Sequence, residues 1–220
     1  MTKLPRCPQA VVFDMDGLIF DTEALHEEAS IMAARDLSHA MTRELFRSLI
    51  GLTGPDGRAR VRHHFGPDFP LDAFFDGWRT HFHVMADTRL DLKPGVPELL
   101  DLLDELGLPR AIATSSSHET VRHHLALHGL GQRFDHVVAR GDYEKGKPAP
   151  DPYLRAAAML GIDPMMCLAL EDSHNGVRSA AAAGMITVMV PDLLEATDEI
   201  ANLCALVVPD LHAVRQVVSR

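Results

Sequence analysis

Positive charge is scarce in this chain: 21 Lys and Arg stand against 31 Asp and Glu, a formal net charge of −10. Broad binding to nucleic acid needs clustered Lys and Arg, so the composition argues against a nucleic-acid partner. It leaves room for a small anionic substrate, because a few focused positive groups override net charge locally. Cysteine is scarce too. Cys7, Cys167 and Cys204 stand far apart, form no CxxC pair and are odd in number. That argues against a disulfide scaffold and fits a reducing interior. No apolar stretch approaches the length that spans a bilayer, and residues 1–13 do not read as a signal peptide. Internal repeats and low-complexity tracts are absent. The expectation is a soluble, cytoplasmic protein with no membrane partner, and nothing demands an oligomer, so a monomer is expected.

With 220 residues and ordinary apolar content, the chain can build one well-packed domain or a domain carrying a smaller insertion. Six short apolar runs recur, at 10–13, 110–113, 136–139, 167–170, 186–190 and 205–208. Unbroken runs of this length suit strands buried on both faces of a parallel sheet. Helical patterns fill the gaps. Leu99, Leu102, Leu103 and Leu106 form an amphipathic stripe ahead of Gly107. Asp151-Pro152 reads as a cap followed by a first-turn proline, and Ser173 as the cap of a helix that stops at Gly184. Alternating strands and helices predict an α/β fold with an open sheet. Residues 23–87 break the rhythm: the pattern there is helical, and the chain is expected back at the sheet near 90–94. Trp78, Phe74, Phe75 and Phe82 are read as packing of this insertion, Glu23, Glu27 and Glu28 as a solvated face.

In an open parallel sheet, ligands bind at the carboxyl ends of the strands. Those ends here deliver Asp14 and Asp16, then Thr114, Ser115 and Ser116, then Glu171 and Asp172, while Lys147 precedes a helix start. Carboxylates gathered there repel one another unless a cation sits among them, and oxygen ligands favour magnesium over zinc.

These segments carry a resemblance. Asp14-Met15-Asp16-Gly17-Leu18-Ile19-Phe20-Asp21-Thr22 resembles the opening motif of the haloacid-dehalogenase-like (HAD) hydrolase superfamily. Thr114-Ser115-Ser116, Lys147-Pro148 and Glu171-Asp172-Ser173-His174-Asn175-Gly176 resemble its second, third and fourth motifs, in order. The insertion resembles the cap of the subfamily that holds beta-phosphoglucomutase and phosphoglycolate phosphatase. The resemblance implies a Rossmann-like, doubly wound parallel sheet core over 1–21 and 90–220, with an inserted all-α cap over 22–89. It implies a Mg2+-dependent phosphatase acting on a small phosphorylated metabolite. Asp14 would be the nucleophile and Asp16 the general acid, then base. Thr114, Ser115 and Lys147 would bind the phosphoryl group. Asp14, the backbone carbonyl of Asp16, Glu171 and Asp172 would hold the metal. Retention of Asp16 favours phosphoryl transfer over dehalogenation, since a halide leaves without an acid.

The cap of that subfamily selects the substrate. His26 falls where its sugar-phosphate members carry a histidine, although a merely polar residue on a cap helix fits as well. Arg58 and Arg79 are candidate contacts. The mutases resembled here carry an arginine after the cap glycine and a lysine after the second motif. This chain reads Gly51-Leu52-Thr53-Gly54-Pro55 and Ser117-His118 there, which puts hydrolase ahead of mutase. A phosphomutase remains the alternative, and a non-catalytic binding protein on the same scaffold a further one. The His63–His64, His81–His83 and His123, His124, His128 groups are read as surface histidines.

Overall fold

The six apolar runs become six strands; the four central ones are buried along their whole length and alternate no polar face, whereas the two at the sheet edges are partly exposed. The computed structural model describes residues 3–52 and 54–219; Met1, Thr2, Arg220 and Thr53 of the 51–55 segment lie outside them. The strands are β1 (Ala10–Phe13), β2 (Arg110–Ala113), β3 (His136–Val138), β4 (Cys167–Glu171), β5 (Ile186–Met189) and β6 (Leu206–Val207). Every adjacent pair is parallel, in the order β3-β2-β1-β4-β5-β6. This is the doubly wound Rossmann-like arrangement, in which the chain turns from one side of β1 to the other between β3 and β4. The helices are α1 (Thr22–Asp36), α2 (Arg43–Arg47), α3 (Gly54–Phe65), α4 (Leu71–Arg89), α5 (Val96–Glu105), α6 (His118–Leu127), α7 (Asp151–Leu160), α8 (His174–Ala182), α9 (Asp198–Leu203) and α10 (Leu211–Val218). Among the described residues no helix is long and apolar enough to cross a membrane.

The chain forms two units: one runs to Asp21 and resumes at Leu92, the other is Thr22–Asp91. In the first, period-two alternation sends Ala10 and Val12, Ala111 and Ala113, and Cys167 and Ala169 to one face of the sheet. Their small side chains let α7 and α8 approach closely, and Tyr153, Ala156, Ala157 and Ala180 pack there with no exposed surface. Each large apolar side chain buried this way contributes about 1.5–3 kcal/mol. Residues 90–94, expected to rejoin the sheet, make only an isolated bridge between Leu92 and Phe20. The start of α7 also differs from expectation. Pro150 holds the cap position, Asp151 lies inside the first turn, and its carboxylate accepts from the Lys145 amide instead.

The second unit is helical. Phe46, Val61, Phe69, Leu71 and Phe74 form its core, with Phe75 and Trp78 packed against it. The acidic face of α1 is ion-paired rather than merely solvated: Glu28 meets Arg89 and Glu27 meets Arg43. His124, expected at the surface, is fully buried on α6 and meets the Phe20 ring edge-on, centroids 5.5 Å apart. It shares the apolar face with Val121 and Leu125, three residues before and one after.

Candidate active site

Asp14 follows the last residue of β1, Thr114 the last of β2, and Glu171 ends β4. Because β1 lies between β2 and β4, these three polar groups emerge side by side at the carboxyl edge of the sheet. Lys147 comes from the loop before α7. Its side chain is 7% exposed, and its ammonium donates to Asp14 and to Glu171 Oε1, the latter at 2.6 Å. Asp14, Glu171 and Asp172 are all buried, and each offers an oxygen within 4.8 Å of the others.

The loops leave room for these carboxylates by omitting side chains. Gly17 has φ +82°, a conformation that L side chains rarely adopt, and a Cβ there would overlap the Asp172 carboxylate. A Cβ on Gly176 would overlap the Glu171 carboxylate. Glu171 thereby lies against the amino terminus of α8, where Oε2 accepts from the amides of Asp172 and Ser173, each at 3.1 Å, and from Ser173 Oγ at 3.0 Å. Ser173 Oγ also caps the helix by accepting from the Gly176 amide.

The electrostatics follow from burial. Desolvation pushes the Asp14 carboxyl up to about 8; Lys147 opposes this, while Glu171 and Asp16 add repulsion. Lys147 is held charged: burial disfavours its ammonium, but Asp14 and Glu171 outweigh that and raise its pKa above the ordinary lysine value. Asp16 is raised by desolvation and pulled back by a hydrogen bond from Ser116, by Lys147 and by Thr114. Three buried carboxylates gather here, two of them paired with Lys147, a set of hard oxygen donors that suits a divalent cation.

Of the residues expected from the sequence, Asp14, Lys147, Glu171 and Asp172 converge, and Thr114 joins them through Asp16, whose Oδ2 accepts from Thr114 Oγ1 at 3.4 Å. Ser115 is exposed and its carbonyl accepts from Arg140 Nε at 3.0 Å. The helical unit holds the other candidates. His26 stacks on Phe82 with ring centroids 3.8 Å apart. Arg58 pairs with Asp72 and lies over the Phe75 ring, and Arg79 pairs with Asp76 on its own helix.

Ser116, named from the sequence only within the second motif, and three residues not singled out at all also take part. Ser116 Oγ donates to Asp16 Oδ2 at 2.7 Å, a shorter bond than the one from Thr114. Tyr143 donates to the Thr114 carbonyl at 3.0 Å and Tyr153 to Glu171 Oε1 at 2.8 Å. Lys93 donates to Asp192 at 2.8 Å across 99 residues of sequence. Only Ser116 had a readable signal, its place in the second motif, three residues after β2 ends.

The haloacid dehalogenase-like hydrolase family model matches residues 8–184. "Protein CbbY" of Rhodobacter capsulatus is 34% identical over 217 residues, covering 93% of this chain and 94% of the relative. Hexitol phosphatase B of Escherichia coli K12 is 32% identical over 204 residues, 85% of each chain. Among solved structures, a CbbY variant from Rhodobacter sphaeroides in complex with xylulose-1,5-bisphosphate superposes with a TM-score of 0.76 at 27% identity, covering 93% of this chain and 95% of that one. With the family model spanning most of the sequence and polar groups of all four motifs meeting at one edge of the sheet, the chain belongs to the haloacid dehalogenase-like hydrolases.

Proposed function

We propose that this hydrolase is a magnesium-dependent phosphatase that cleaves a small phosphomonoester, a sugar phosphate or similar metabolite, through a phosphoaspartate on Asp14. One observation carries the reading: a buried lysine bridges Asp14 and Glu171 beside a third buried carboxylate, with Asp16 two residues beyond the first. A phosphomonoester carries about −1.5 to −2 charges near neutral pH. A carboxylate attacking it meets strong repulsion, and Lys147 offsets part of it.

In the first step an Asp14 oxygen attacks phosphorus, the ester P–O bond breaks, and Asp16 gives its proton to the departing alkoxide. In the second, Asp16 takes a proton from water, which attacks phosphorus and releases inorganic phosphate and the Asp14 carboxylate. Asp16 must therefore serve in both protonation states. Desolvation raises its pKa above the ordinary carboxylate value, and the Ser116 hydrogen bond opposes that rise. Thr114, Ser115 and the amides of their loop receive the phosphoryl oxygens.

Asp14, the Asp16 carbonyl and Asp172 would hold magnesium, with Glu171 beside or among its ligands. Bound there, the ion supplies charge neutralisation and a clamp on the transferring group. Oε1 and Oε2 of Glu171 already accept five hydrogen bonds between them, which favours Asp14 and Asp172 as the principal side-chain ligands. His26 and Arg58 are carried forward as substrate-binding residues on the resemblance alone. The names of the relatives support a polyol or sugar phosphate as substrate. The free state of Cys7, Cys167 and Cys204 fits a cytoplasmic setting.

The test is a panel of phosphorylated metabolites assayed with and without magnesium, wild type beside Asp14→Asn. Phosphate release that needs both magnesium and Asp14 supports the reading. Isomer formed from a sugar 1-phosphate without release favours a mutase, and turnover by Asp14→Asn at the wild-type rate rejects the mechanism.

A further inference from the structure

Tyr153 has no exposed surface and packs with the alanines of the sheet, yet it carries a hydroxyl into that apolar layer. A buried phenol needs a partner. The partner is Glu171 Oε1 at 2.8 Å, the same oxygen that accepts from Lys147 Nζ at 2.6 Å. The ring serves as well: Lys147 Nζ lies 5.1 Å from its centroid, within cation–π range. One side chain thus touches the lysine with its face and the lysine's carboxylate partner with its hydroxyl.

An ammonium shared by two carboxylates is drawn toward the one whose charge is less satisfied. Oε2 of Glu171 is saturated by two amides and a hydroxyl, so Oε1 carries what pull remains. The phenol takes up part of that charge and fixes where Oε1 points. We propose that Tyr153 is a positioning residue that limits the hold of Glu171 on Lys147, leaving the ammonium aimed at Asp14 and at the phosphoryl group attached to it. The inference rests on the phosphatase reading above. No proton leaves the phenol; it acts as a donor throughout.

The experiment compares wild type, Tyr153→Phe, and a protein with 3-fluorotyrosine inserted at 153, using the best substrate of the metabolite panel. Tyr153→Phe is expected to lower kcat by about tenfold, the order of one hydrogen bond to a charged group, with KM changed by less than about twofold. The fluorotyrosine protein, which keeps a hydroxyl on an almost unchanged ring, is expected to return to within about twofold of wild type. A purely structural phenol would move the thermal midpoint and leave kcat in the folded protein alone. Tyr153→Phe with wild-type kcat overturns the proposal, as does a fluorotyrosine protein as slow as the phenylalanine one. If Tyr153→Phe does not fold, the fluorotyrosine protein still decides, since a tenfold fall in its kcat contradicts the proposal. A wild type without phosphatase activity fails the underlying reading; an active wild type unaffected at 153 fails this inference alone.

Discussion

The carboxylate of Glu171 occupies the space in which a side chain on Gly176 would begin. Five donors hold that carboxylate in place, so it cannot swing aside. Gly176→Ala must displace either Glu171 or the start of α8. The expected cost is about 3 kcal/mol of stability, the upper range for overpacking, together with loss of turnover. Urea unfolding beside a phosphatase assay checks it; a variant as stable and as active as wild type would contradict the packing described.

Lys147→Met removes the ammonium that bridges Asp14 and Glu171. Breaking a buried pair by removing one partner costs about 3–5 kcal/mol. Turnover is expected to fall by roughly a hundredfold to a thousandfold, the scale for one preorganised electrostatic donor. Steady-state kinetics with a denaturation curve measure both. A fall in stability with kcat intact would make Lys147 a structural cation only.

Asp16 lies above its ordinary carboxylate value because desolvation disfavours its charge, and Ser116 pulls it back. Ser116→Ala removes a lowering influence, so Asp16 ionises at higher pH. The proposed step that needs ionised Asp16 then reaches half its maximum at higher pH, and the acid limb of the kcat profile moves upward. A limb that stays fixed or moves downward would contradict the assignment.

Much of this arrangement is readable from residue order. Parallel strands buried on both faces leave unbroken apolar runs, and the polar residues that follow Phe13, Ala113 and Leu170 land together because the sheet order brings β1, β2 and β4 side by side. The unread part is of two kinds. Tyr153 sits on an apolar helix face, and its pattern gives only burial; that its hydroxyl meets Glu171 depends on how α7 crosses the sheet. Lys93 and Asp192 are too distant in sequence for any local pattern to join them. The burial of His124 had a signal, its spacing from Val121 and Leu125, but imidazole polarity pointed toward solvent.

The cysteines give a check on burial independent of activity. Burial pushes the Cys167 and Cys204 thiols up to about 11, whereas Cys7 is exposed. Titration of the native protein with a disulfide reagent near pH 8 is expected to show one fast thiol, Cys7, and three only after denaturation. Two or three fast thiols in the native state would contradict the packing around β4 and α9.

The most direct measurement is the covalent intermediate itself. Single turnover of a radiolabelled phosphomonoester, quenched in acid within milliseconds and digested, is predicted to leave label on the peptide bearing Asp14, with none in Asp14→Asn. Label on a different residue, or phosphate released from an active enzyme with no labelled protein at any time, would contradict the account.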